Sequence, residues 1–227
     1  MRYLLLWLLS LPALGSAAAA ADAPWIEGVH YFVVDPVQPT QVPAGKVEVV
    51  EVFSYACPVC NVFYPVMDQL KAALPKQARL SYLPASWHPE EDWPTFQRAF
   101  FAAQSLGLVE RTHDAVFDAI WKTGELAIMD PATHTPKALM PTVVDVAKFY
   151  ARKTGVKPEA FVDAAHSFSV DARMREADAQ IRAYQVEGTP TVIVAGKYRV
   201  TPRSAGGNEP FIRLVEWLVA QRIAHPS

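Results

Sequence analysis

The sequence predicts an α/β protein, a sheet with flanking helices that is interrupted by a long all-helical insertion. Three observations carry that expectation. Residues 46–56, KVEVVEVFSYA, are Val-rich and β-branched with little alternation, as a strand buried on both faces would be. From Cys57 the apolar spacing changes to a helical period, and from about residue 92 to residue 183 it stays helical. It then returns to strand at TPTVIVAG and KYRVTP, residues 189–202.

Taken in order, residues 1–21, MRYLLLWLLSLPALGSAAAAA, have one positive charge, an apolar stretch to Leu14 and small residues of the A-x-A type. They read as a secretory signal peptide cut near Ala20 or Ala21, because the apolar part is too short to span a bilayer. Residues 22–46 are Pro-rich and read as an extended lead-in. After the 46–56 strand, Val59, Val62, Phe63, Val66, Leu70 and Leu74 fall on one helical face, with Pro58 in the first turn and Pro75 ending the run. Pro65 lies inside this helix and is expected to kink it. ARLSYLPAS, residues 78–86, reads as a second strand.

The insertion contains TFQRAFFAAQSL, THDAVFDAIWK, TVVDVAKFYARK and PEAFVDAAH as amphipathic helices, then a more polar VDARMREADAQIRAYQV suited to bridging two parts of the chain. Two late strands meet at Ala195-Gly196-Lys197, and a last helix, EPFIRLVEWLVAQRIA, is expected behind Asn208 as its cap, with Pro210 in its first turn. The domain expectation is therefore a leader at 1–21, a sheet-bearing domain at 22–86 and 184–227, and an inserted helical subdomain with a connecting helix at 87–183. The 227 residues carry 21 basic and 23 acidic side chains, a net charge of −2, so a nucleic-acid partner is not expected.

The only two cysteines, Cys57 and Cys60, stand in C-P-V-C where strand meets helix. As a staple the pair would close too short a loop to stabilise much. As a metal clip it lacks the second pair that a four-ligand site needs, and the histidines at 30, 88, 113, 134, 166 and 225 are scattered. A lone nucleophile of the cysteine-protease kind is no better, since the second cysteine would quench it. A reactive dithiol fits. At a helix N-terminus Cys57 gains the positive end of the dipole and free N–H donors, which favour the thiolate, while Cys60, one turn in, is more shielded.

These residues resemble a known family. EVFSYA before C-P-V-C, with VEGTPTVIVAGKYRV far downstream, is similar to the periplasmic thiol:disulfide oxidoreductases of the disulfide bond protein A (DsbA) family, and the resemblance covers essentially the whole chain after the leader. It implies a thioredoxin-like mixed sheet with flanking helices and an inserted all-helical subdomain. It makes Cys57 the attacking cysteine, Cys60 its partner, Thr189-Pro190 the cis-proline loop facing the dithiol, and Glu51 a buried acid that helps move the Cys60 proton. It further implies a periplasmic monomer that donates disulfides to newly exported chains with free thiols and is reoxidised by a membrane quinone-linked partner of the DsbB type. No bound cofactor is implied, because the redox equivalents reside in the sulfurs.

Other readings remain open at this level. Glu51 could lie on an exposed edge, and Pro190 could be an ordinary trans proline. Trp87 and His88 read as loop filling, and Tyr55 as packing near the site. A dithiol reductase or a disulfide isomerase would use the same chemistry, and a periplasmic chaperone or binding protein could retain the fold without it. One departure from the family concerns tuning: Pro58 is kept, but Val59 stands where the best-known members have histidine, which puts the oxidising strength in question.

Overall fold

The computed structural model describes residues 25–225, so the expected leader at 1–21 lies outside the described residues. Five strands form one sheet: β1 (Phe32–Val33), β2 (Val47–Phe53), β3 (Ala78–Pro84), β4 (Thr191–Val194) and β5 (Tyr198–Val200), in the order β1-β5-β4-β2-β3. Only β2 and β3 run parallel; β2–β4, β4–β5 and β1–β5 are antiparallel, which makes the sheet mixed. The near-continuous apolar run has the expected outcome, since every residue of β2 is buried and the strand has a partner on each side.

The helices are α1 (Pro58–Ala73), α2 (Trp93–Ser105), α3 (Val109–Trp121), α4 (Val143–Thr154), α5 (Pro158–Ala165), α6 (Phe168–Ala183), α7 (Pro202–Ala205) and α8 (Asn208–Ala224). α1 and α8 cover one face, where Val47, Val49, Val192 and Val194 pack on Phe63, Leu70, Phe211 and Leu214. A second core joins Val50, Val52 and Ile193 to the helical block through Phe96, Phe100, Phe117, Phe149 and Ile181. The central strands β2 and β4 are thus buried on both faces, while β1, β3 and β5 are partly exposed, and what the block adds is a second apolar centre continuous with the sheet. Among the described residues no helix is long and apolar enough to cross a membrane.

Three local expectations change. The lead-in is not wholly irregular, because Phe32 and Val33 pair with Arg199 and Tyr198 as an edge strand. Farther along it, the Gln38 N–H donates to the Gly196 carbonyl at 3.0 Å. Gly196 has φ 64, and a Cβ there would collide with the Gln38 carbonyl, so glycine is required at this turn. In α1 the buried stripe is Cys60, Phe63, Val66, Met67 and Leu70, while Val59 and Val62 are 57% and 73% exposed. The stripe i, i+3, i+7, i+10 counted from Cys60 points at the sheet, and the two valines precede it by one position around the helix. Pro65 lies inside α1 on its exposed side.

The cap of α8 is Gly207 rather than Asn208, which is already helical. The short α7, with a reciprocal capping box between Thr201 and Ser204 and a Gly206-Gly207 exit at positive φ, delivers the chain one residue earlier than the sequence suggested.

Candidate active site

β2 ends at Phe53, and residues 54–56 carry the chain to Cys57, which caps α1 with an extended backbone (φ −80, ψ 120). Pro58 then occupies the first helical position, where a missing N–H costs nothing. The Cys57 Sγ accepts the Cys60 N–H at 3.5 Å, and the two thiols are free rather than bonded. The expected contrast between an open and a shielded cysteine is narrower than the sequence implied: Cys57 keeps 5% of its surface and Cys60 none. The covering element is the loop before β4. The Thr189-Pro190 bond is cis, and the Cys57 thiol donates to the Thr189 carbonyl across a long 3.8 Å contact.

These surroundings separate the two thiols chemically. Cys57 is brought down to about 6, chiefly by the hydrogen bond from the Cys60 thiol; burial works against it, and the Thr189 side chain and the Cys60 and Val59 backbone N–H groups assist. Cys60 moves the other way, well above the ordinary thiol range, because it is buried and faces Cys57, with the Glu51 charge adding to the effect. At neutral pH one sulfur is mostly thiolate and the other remains a thiol.

Glu51, on β2, is 1% exposed, and its Oε2 has no hydrogen-bond partner. Burial first and the nearby Asp68 second push its carboxyl up to about 8. It is therefore buried, not on an exposed edge, and it holds a proton near neutrality. Val59 is exposed beside Cys57 and offers only its backbone N–H to the sulfur.

Sequence reasoning placed Tyr55 near the site but did not find its partners. Its hydroxyl lies 2.9 Å from His113 Nδ1, and its carbonyl accepts the Trp121 indole N–H at 2.8 Å, both partners coming from α3. Burial, helped by the Lys71 charge, lowers His113 to about 3, so the ring is neutral. Fifty-eight positions separate Tyr55 from His113, and the one available signal was a histidine on the apolar face of THDAVF. Trp87 stacks on Trp93, and His88 pairs with Glu90 at 3.0 Å. Among the described residues no group of three or more His, Cys, Asp or Glu side chains could hold a metal ion.

The arrangement offers one acidic, nearly covered thiolate, a second thiol within bonding reach, and a protonated carboxyl behind them, which is what two-electron exchange with an external thiol or disulfide requires. The family model described as "DSBA-like thioredoxin domain" matches residues 48–216. The thiol:disulfide interchange protein DsbA of Pseudomonas aeruginosa is 34% identical over 225 residues, 99% of this chain and 98% of that one. The crystal structure of Pseudomonas aeruginosa DsbA superposes with a TM-score of 0.74 at 34% identity, covering 88% of this chain and 95% of that chain. The oxidoreductase DsbA from Xylella fastidiosa gives 0.77 at 32% identity, covering 89% and 99%. The chain belongs to the DSBA-like thioredoxin family and is a thiol–disulfide oxidoreductase.

Proposed function

We propose, from that membership, that the protein is a disulfide donor acting on newly exported chains in the periplasm, delivered there by cleavage of residues 1–21. The observation that carries the direction of flow is the acidity of Cys57, brought down to about 6, beside a Cys60 held as thiol. In the oxidised protein a substrate thiolate attacks Cys57 Sγ, the Cys57–Cys60 bond breaks, and its electron pair leaves on the Cys60 sulfur. A second substrate thiol then attacks the substrate sulfur of the mixed disulfide and expels Cys57. A stabilised thiolate is a good leaving group, so the acidity that makes Cys57 reactive also drives donation.

In this reading Cys57 and Cys60 are the redox pair, and Glu51 supplies and removes the Cys60 proton, supported by its burial and its protonation near neutrality. Thr189 and Pro190 cover Cys57 and present backbone to the substrate, while Pro58 and Val59 set the acidity of the thiol. The two substrate electrons end on the protein as two thiols, and a membrane quinone-linked partner of the DsbB type restores the disulfide. The sheet-bearing parts at 22–86 and 184–227 would form the redox domain, with 87–183 inserted.

Equilibration with glutathione buffers tests the reading. A potential well above the roughly −270 mV of a reducing thioredoxin is expected, and one at or below that value would make the protein a reductase. The exposed aliphatic Val59, which adds no charge beside Cys57, is the observation that favours that second reading.

A further inference from the structure

A groove of about 690 Å³ lies beside the dithiol, lined by Val59 of α1 and Thr189 and Pro190 of the loop over Cys57, and by Arg199 of β5 and Pro202 and Arg203 of α7. Its floor is apolar, with Phe32, Val59, Pro190 and Pro202 contributing. The sheet order sets its direction. β5 lies on the far side of β4 from β2, so Arg199 on β5 and Arg203 on α7 sit beyond Pro190 as seen from the cysteines.

Those two arginines have no carboxylate partner among the described residues. Arg199 has its guanidinium 5.5 Å from the Phe32 ring centroid, while Arg203 is exposed. Arg152 and Arg213 are paired, with Glu125 and Glu209, whereas Arg79, Arg111, Arg175 and Arg182 are exposed without an ion pair among the described residues; what sets Arg199 and Arg203 apart is that they line this groove together. Glu187 is the single carboxylate lining the groove, and it belongs to the loop next to the dithiol rather than to the far end. A chain whose net charge is −2 thus concentrates two unpaired cations where an extended segment leaving Cys57 would pass.

We propose that Arg199 and Arg203 select substrates, favouring cysteine segments that carry Asp or Glu a few residues from the reacting thiol. This rests on the disulfide-donor reading and names the substrate class for the same site. The occupant is an extended thiol-bearing segment of a substrate protein: its cysteine meets Cys57, its apolar residues lie on Phe32 and Pro202, and its carboxylate reaches the arginine end. Charge complementarity identifies the occupant, since an apolar or basic segment would leave both guanidinium groups unanswered. The accelerated step is attack of the segment's thiolate on Cys57 Sγ. One S–S bond forms, the Cys57–Cys60 bond breaks, and the electron pair and then a proton go to Cys60.

The test uses the oxidised protein and three cysteine peptides identical except for Glu, Gln or Lys on both sides of the thiol, with neutral 2-mercaptoethanol as a fourth reductant. Stopped-flow rates are expressed per thiolate and divided by each peptide's per-thiolate rate with a small neutral disulfide, so that both the ionised fraction and the pKa-dependent nucleophilicity of its thiol are removed. At low ionic strength the Glu peptide should react about fivefold faster than the Gln peptide and the Lys peptide slower still, as expected of pairs in a partly exposed groove. The spread should shrink at about 0.5 M salt, where the screening length is only a few Å. Arg199→Glu with Arg203→Glu should invert the order. Because Arg199 packs on Phe32, the exposed Arg203→Gln is run alone as well and should narrow the spread.

Equal rates for the Glu and Lys peptides, a reversed order in the parent, or an order unmoved by both variants would overturn the proposal while leaving the donor reading intact, provided the parent oxidises 2-mercaptoethanol. If the parent fails to oxidise even that neutral thiol, the donor reading itself falls and the charge preference falls with it.

Discussion

The two ends of β2 each bury one glutamate and treat it differently. Glu48, at the start, is 5% exposed and accepts the Gln41 N–H at 3.4 Å; burial raises its carboxyl, but that contact and the Arg79 charge pull it back. Glu51, at the end, is 1% exposed, has an Oε2 without a partner, and has Asp68 as its nearest charged influence, which raises it further. An odd spacing sends the two side chains to opposite faces, so neither helps the other. A buried carboxyl that is merely tolerated is given partners. The one left without them stands toward the dithiol end of the strand, and that placement supports the proton-handling role proposed for it.

The largest effect that could break this contrast is loss of exchange itself. Cys57→Ser should abolish oxidation of a dithiol peptide, whereas Glu48→Gln, at the other end of the strand, should stay within about twofold of the parent, because glutamine keeps an acceptor for the Gln41 N–H and the position contacts neither sulfur. A Glu48→Gln variant as crippled as the cysteine variant would mean that the two ends act together.

Glu51→Gln sharpens the contrast in two readouts. Turnover of a dithiol substrate should fall on the order of 10²-fold through the proton-linked step at Cys60. Stability should move the opposite way. A carboxyl near 8 in the folded state and in the ordinary carboxylate range when unfolded destabilises the native state increasingly as pH rises from about 4 to 8. The amide removes that burden, so urea melts should show Glu51→Gln gaining up to about 3 kcal/mol at pH 7 and nothing near pH 4. The same substitution at Glu48 should gain less. Slower turnover with no change in the pH dependence of stability would show that Glu51 is not the buried acid described here.

The cysteines provide a third measurement. Brief alkylation of the reduced protein should label Cys57 with a midpoint near pH 6 and spare Cys60. Because the folded-state pKa of Cys57 lies below the ordinary thiol value of about 8.5, its stabilisation of the reduced form is complete above that value and is lost as pH falls through about 6. Melts of the reduced protein against pH check this. A midpoint at the free-thiol value would remove the asymmetry.

The smallest effect belongs to Val59. An imidazole there would donate to or charge the surroundings of Cys57, so Val59→His should lower the Cys57 pKa and raise the potential, by about 30 mV for each tenfold change in the glutathione equilibrium constant. An unchanged or more reducing variant would show that the backbone donors and the Cys60 thiol already set the value.

Legibility from the sequence followed how local the cause was. β2 could be read because its burial shows in its own composition, and the dithiol because helix-start chemistry is a property of neighbouring residues. The α1 stripe was misjudged by one position because Val59 and Val62 are apolar yet turn away from the sheet, one of them to line the groove beside the dithiol. β1 escaped notice because two residues among prolines carry no periodicity, and their strand character comes from β5. Tyr55 with His113, and Arg199 over Phe32, depend on how distant segments are brought together, which no local pattern encodes.

α3 grips both polar ends of Tyr55, by the His113 ring at its hydroxyl and the Trp121 indole at its carbonyl, two residues ahead of Cys57. The helical block is therefore tethered to the sheet at the reactive loop itself. Because Phe53 of β2 and Val116 and Phe117 of α3 share one core, the setting of the loop that carries Cys57 is tied to the seating of the block. Thiol reactivity thereby becomes a local reporter of how firmly α3 is seated.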